Sequence, residues 1–150
     1  MKAGVLIAIV LLGGATVSGA ATRSPATPTR VATCLAKHKL LTYQSTVRVV
    51  PKGSPQLGAL QFSFALVPSQ ALNNGFIAFE KSAEIAKRVG TAFLKAEQLR
   101  FARNHVHASV ALIQTTYFVE NNAFIGWSND PGAVPPGRTR ARATLVACLR

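Results

Sequence analysis

Two histidines separated by a single residue are the side chains with the clearest potential for chemistry. On a strand, His105 and His107 would lie on the same side, about 7 Å apart. Such a pair binds a metal if a third ligand comes from elsewhere, and it could also serve acid–base hydrolysis. The remaining donors are scattered, at His38, Glu80, Glu120 and Asp130. We therefore expect solvent-exposed histidines, no metal and no cofactor, and keep a small secreted hydrolase or metal-binding protein using the pair as the alternative.

The two cysteines, Cys34 and Cys148, lie near the two ends of the expected folded domain. In an oxidising compartment such a pair predicts a disulfide. Helical spacing supports it, because each cysteine shares a helix face with residues three or four positions away: Val31, Leu35 and His38 with Cys34, and Ala141 and Leu145 with Cys148. A loop of this length would contribute about 4–5 kcal/mol in the chain-entropy model. Two buried free thiols are the alternative.

The first residues predict an export signal. A positive start at Lys2 precedes an apolar run over 3–12, and Ser18-Gly19-Ala20 supplies small residues before a cleavage site. We expect residues 1–20 to be a signal peptide, with an uncleaved membrane anchor as the alternative. The Pro/Thr-rich stretch 21–29 predicts a flexible tether, followed by a single domain over 30–150. The expected location is secreted or in the cell envelope.

The charge balance points to anionic partners. The chain has 17 Lys and Arg against 5 Asp and Glu, a formal net charge of +12, which favours an anionic envelope polymer or lipid surface. Export argues against nucleic acid, as does the lack of interleaved basic and aromatic residues. A disulfide between the chain ends would merge their basic residues into one polyanion patch: Lys37, Lys39, Arg138, Arg140, Arg142 and Arg150.

Periodicity predicts an α+β fold. Alternating or apolar segments indicate strands over 43–50, 60–66, 75–79, 106–119 and 123–128, and helices are expected over 30–39, 81–103 and from 139 onward. We predict a four- to five-stranded antiparallel sheet with the helices on one face. The segments 73–79 and 121–127 resemble each other (Asn-Asn-Gly-Phe-Ile-Ala-Phe and Asn-Asn-Ala-Phe-Ile-Gly-Trp), which raises a strand–strand–helix repeat as a possibility.

The same alternation leaves a polar sheet face with no helix assigned to cover it. Such a face is solvated, forms a weak dimer of an otherwise monomeric chain, or binds a ligand. Its residues would be Gln44, Thr46, Arg48, Gln61, Ser63, His105, His107 and Ser109.

No catalytic motif stands out. The chain lacks paired carboxylates, a Gly-x-Ser-x-Gly elbow and a phosphate-binding glycine loop. The signal, Cys34-Leu35 and the terminal Cys148-Leu149-Arg150 resemble small uncharacterised exported proteins of actinobacteria, and that resemblance implies no known activity. We interpret the chain as an exported, non-catalytic, basic binding or interaction module.

We predict that the exported protein begins at Ala21 or Thr22, because cleavage follows small residues at the −3 and −1 positions. N-terminal sequencing of exported material tests this. Intact Met1 in a membrane fraction would instead identify an anchor.

Overall fold

The computed structural model describes residues 24–44, 50–64, 73–104, 113, 116–127 and 138–150. The predicted signal lies outside these residues. In chain order the elements are α1 (Pro28–Lys37), β1 (Leu41–Gln44), β2 (Gly58–Phe64), β3 (Asn73–Phe79), α2 (Ala83–Arg103), β4 (Tyr117–Glu120), β5 (Ala123–Trp127) and α3 (Arg138–Leu149). The predicted α+β class is confirmed.

Helix α1 begins two residues earlier than the sequence predicted. The Thr27 side chain accepts a hydrogen bond from the Arg30 N–H, and Pro28 occupies the first turn, where its missing N–H costs nothing. After the C-cap His38, the chain passes through a left-handed residue, Lys39 (φ 61°). The Leu40 N–H then donates to the Leu35 carbonyl, which closes the last turn.

The segment before α1 is anchored to the sheet. Ala26 is fully buried, and its N–H donates to Asn122 Oδ1 at 2.6 Å. In return, Asn122 Nδ2 donates to the carbonyls of Ala26 (3.0 Å) and Glu80 (2.6 Å). Within the predicted tether, Ala26 is therefore held by a buried amide that pairs with its backbone, and α1 already begins at Pro28.

The five strands form one antiparallel sheet in the order β1-β2-β3-β5-β4. Strands β3 and β5 occupy its centre, and Ile77 pairs with Ile125 at the middle of their register. Strand β5 is buried along its whole length. Such continuous burial requires cover on both faces of the sheet.

Helices cover both faces, so the prediction of helices on one face is wrong. Helices α1 and α3 pack with Ile77, Phe79 and Ile125 in one core. Helix α2 packs on the other face, where its buried Val89 meets Phe124. The reason is that β3 and β5 carry apolar side chains in both orientations, and a single layer of helices would leave half of them in water.

The sequence similarity between 73–79 and 121–127 corresponds to a real local symmetry, although the strand–strand–helix repeat is not confirmed. The two segments pair with each other antiparallel, so that Gly75 faces Trp127 and Phe79 faces Ala123. The symmetry ends at the strands. A repeat related by this axis would place both following helices on one face, whereas α2 and α3 lie on opposite faces.

The predicted long strand over 106–119 is wrong near its end. Thr116 makes a turn back to Ile113, with its N–H donating to the Ile113 carbonyl at 2.9 Å, and Ile113 itself is helical. The strand begins only at Tyr117. Residues 105–112, which include both histidines of the predicted pair, lie outside the described residues.

Each central strand carries a glycine where large side chains cross. Gly75 pairs with Phe62 on one side and Trp127 on the other, and these two rings meet edge to face with centroids 5.2 Å apart. A Cβ on Gly75 would overlap the Phe62 ring and lie 2.7 Å from the Gly126 carbonyl oxygen. Gly126 similarly leaves room for the ring of Phe76.

We predict that Gly75→Ala destabilises the protein by about 1–3 kcal/mol, the usual cost of overpacking a core. Phe62 is fully buried and has nowhere to move. Gly126→Ala is the matched comparison and should cost less, because the half-buried Phe76 ring can shift toward solvent. Urea unfolding of both variants measures this, and an equal or larger loss for Gly126→Ala would contradict it.

Candidate functional site

The predicted disulfide is confirmed. Cys34 and Cys148 are bonded across a sequence separation of 114 residues, with Cα atoms 5.6 Å apart. The bond joins α1 to α3 on the face of the sheet where both helices pack. Val31, Leu35 and Leu145 are fully buried beside it. The cross-link therefore reinforces a helix pair that apolar contacts already hold.

One histidine lies beside the disulfide. His38 is the C-cap of α1 and follows Cys34 by four residues, which places both on the same side of the helix. Its ring nitrogen and the two sulfurs lie within 4.8 Å of one another. In the described part of the chain this is the single group of three potential metal ligands. The helical spacing predicts His38 on the Cys34 face, but His38 is expected as a metal ligand only for the distant pair His105 and His107.

All residues of the predicted polyanion patch except Arg138 are exposed, and one of these five, Arg150, is ion-paired. Lys37 and Lys39 are exposed at the end of α1, and Arg140 and Arg142 are exposed on α3. The guanidinium of Arg142 also lies over the Phe118 ring, 4.6 Å from its centroid. Because α1 and α3 pack on one face and are cross-linked, both pairs of charges belong to the same helical layer.

The other two residues of that patch are engaged elsewhere. Arg138 is buried, with its guanidinium 5.2 Å from the centroid of the Trp127 ring, so its inclusion in a surface patch is wrong. Burial lowers the pKa of Arg138 from its ordinary value, but an arginine remains charged at neutral pH. Arg150 forms an ion pair with Glu120 at 2.9 Å.

The predicted polar face is only partly described, and what is described is not open. Thr46, Arg48, His105, His107 and Ser109 lie outside the described residues. Gln61 is half-buried and Ser63 is buried, on the same side of the sheet as α2. Gln44 pairs with Leu60 across β1 and β2, and not with Gln61 or Ser63. Helix α2 covers β4 and β5 on this side, which the prediction had left without a helix.

A buried carboxylate holds the loop before β2. Glu80 is fully buried, accepts a hydrogen bond from the Gln56 N–H at 3.2 Å, and contacts the Ser54 hydroxyl. Its backbone N–H donates to the Asn122 carbonyl at 2.8 Å. These contacts give Glu80 a structural role, since its oxygens are directed to the loop and away from solvent.

Comparisons with models of protein families, with curated proteins and with solved structures found no match to this chain. Among the described helices, none has the length and apolar character needed to cross a membrane.

We predict that Cys148→Ser lowers the free energy of unfolding by about 2–5 kcal/mol. The substitution removes a cross-link over most of the domain and leaves a hydroxyl at a buried position. Urea unfolding against the oxidised parent measures the loss. Ala147→Ser is the matched control, because Ala147 is the exposed neighbour and should change little. Two titratable thiols in the native, exported protein would contradict the prediction.

Proposed function

We propose that this protein is an exported, non-catalytic module that adheres to an anionic component of the cell envelope. The exposed basic side chains of α1 and α3 make the contact. The disulfide agrees with a life in an oxidising compartment, as does the signal-like start of the sequence. The resemblance of the chain ends to small exported actinobacterial proteins is consistent with the same location.

The observation that carries the proposal is the imbalance of charge at the surface. Among the described acidic residues, Glu80 is buried, while Glu97 and Glu120 form ion pairs with Arg100 and Arg150. Glu84 remains exposed in the first turn of α2, where the helix dipole already favours a negative charge. Among the residues that the structure describes, exposed basic side chains therefore outnumber exposed acidic ones.

The α1–α3 layer concentrates part of this charge on one face of the sheet. Lys37, Lys39, Arg140 and Arg142 extend into solvent from two helices that the disulfide holds together. Charges within a Debye length, about 8–10 Å at moderate salt, add their potentials toward a polyanion. Arg142 is also ordered by its stacking on Phe118, which lowers the entropy it loses on binding.

We predict that replacing Lys37, Lys39, Arg140 and Arg142 by Gln weakens binding to vesicles containing phosphatidylglycerol by about a hundredfold or more. The expectation is that each basic residue near an anionic surface contributes about 1 kcal/mol. Binding of the parent should also fall steeply as salt rises. Vesicle co-sedimentation across a salt series measures both, and immobilised polyphosphate in the same series distinguishes a lipid surface from an anionic polymer.

The matched control removes the same charge from the other face. Lys87, Arg88, Lys95 and Arg103 are exposed on α2, across the sheet from α1 and α3. Their replacement by Gln should weaken binding far less. Equal losses in both variants would mean that net charge alone drives adhesion, without a patch. Binding that is unaffected by salt would exclude the electrostatic mechanism altogether.

A further inference from the structure

The disulfide and His38 together have the composition of a metal site. Cys34 and His38 come from successive turns of α1, and Cys148 comes from α3. Zinc binds cysteine sulfur at about 2.3 Å and histidine nitrogen at about 2.0–2.1 Å, which sets neighbouring donors on the order of 3–4 Å apart. The three donors here lie within 4.8 Å of one another. Once the sulfur–sulfur bond is open, small side-chain rotations bring them to that spacing.

The surroundings suit an ion that enters from solvent. His38 is exposed, Cys34 is half-buried and Cys148 is buried. An ion can therefore arrive on the histidine side and bind sulfur beneath it, while the exposed side leaves a fourth position for water. Val31, Leu35, Leu145 and Leu149 also pack in one apolar core, and these contacts favour keeping α1 near α3 when the cross-link is broken.

We propose that the reduced protein binds one Zn²⁺ through Cys34, Cys148 and His38, so that the metal replaces the disulfide as the link between α1 and α3. The state of the link then depends on the redox state of the pair. Oxidised, the sulfurs are bonded to each other and unavailable as ligands. Reduced, two thiolates and one imidazole form a three-ligand site that is open on one side.

The electrons for this change come from a dithiol reductant. Its first thiolate attacks the half-buried Cys34 sulfur, the sulfur–sulfur bond breaks, and Cys148 leaves as a thiolate. The second thiol of the reductant then attacks the mixed disulfide, releasing Cys34 and closing the reductant into its own disulfide. Two electrons pass to the cysteine pair. When Zn²⁺ binds both thiolates, the two protons of the dithiol have gone to solvent.

The test uses Co²⁺ as a spectroscopic probe of the full mature chain, reduced with excess dithiol and freed of it under anaerobic conditions. We expect one equivalent of Co²⁺ to give thiolate-to-cobalt charge transfer and the intense visible bands of tetrahedral cobalt. Zn²⁺ should abolish both by displacement. The oxidised protein should show neither.

Matched variants decide which side chains bind. His38→Ala should lower the Co²⁺ affinity at least tenfold, since even outer-shell partners of a metal contribute that much. Thr33→Ala, at an exposed and uncharged position of α1, should leave it unchanged. Cys148→Ser should remove the tetrahedral site. Equal affinity in the His38→Ala and Thr33→Ala variants, or an octahedral spectrum without thiolate bands, would overturn the proposal.

Circular dichroism covers the case in which reduction alone unfolds the chain. Zn²⁺ should then restore the helical signal in the parent and in Thr33→Ala, and fail to do so in His38→Ala at the same concentration. Recovery that is equal in all three proteins would also overturn the proposal, because it would not depend on the histidine.

Discussion

The two central strands have apolar side chains on both of their faces, and the rest of the architecture follows from covering them. Ile77, Phe79 and Ile125 point to one side, while Phe76 and Phe124 point to the other. Burying only one side would leave large rings in water, at a cost of roughly 1.5–3 kcal/mol for each. Helix α2 covers the second side, and helices α1 and α3 cover the first. Gly75 and Gly126 lack a Cβ, which leaves room for the rings of Phe62 and Phe76.

The segment before α1 and the end of α3 meet on the first face, and two kinds of contact hold them there. Asn122 pairs with the backbone of Ala26, and Asn121, in a left-handed conformation (φ 52°), donates to the Leu149 carbonyl at 3.1 Å. The disulfide adds a covalent link between α1, which follows Ala26 in the chain, and α3, which contains Leu149. Both the segment before α1 and the end of α3 therefore hydrogen-bond to the hairpin turn between β4 and β5.

Both proposed sites lie in the helical layer formed by α1 and α3. The exposed basic residues of α1 and α3 and the Cys34–His38–Cys148 group all belong to the two terminal helices. A reagent that opens the disulfide acts on the link between those helices, and in the proposed function an anionic surface contacts the same pair. The two proposals assign different side chains, Lys37 and the guanidinium groups to adhesion and His38 with the cysteines to metal binding, so each can be tested without the other.

The sequence by itself determined the α+β class, the long helix α2, most of the strand positions and the Cys34–Cys148 pairing, because each depends on local periodicity or on a count of two cysteines. It also placed His38 on the same helix face as Cys34. The tertiary structure alone decided that helices cover both faces, that Ala26 is held by Asn122, and that Arg138 is buried on Trp127. Each of these depends on contacts between residues far apart in the chain. An apolar run such as Phe76–Phe79 shows that a strand is buried, but only the packed sheet shows which helix lies on which side.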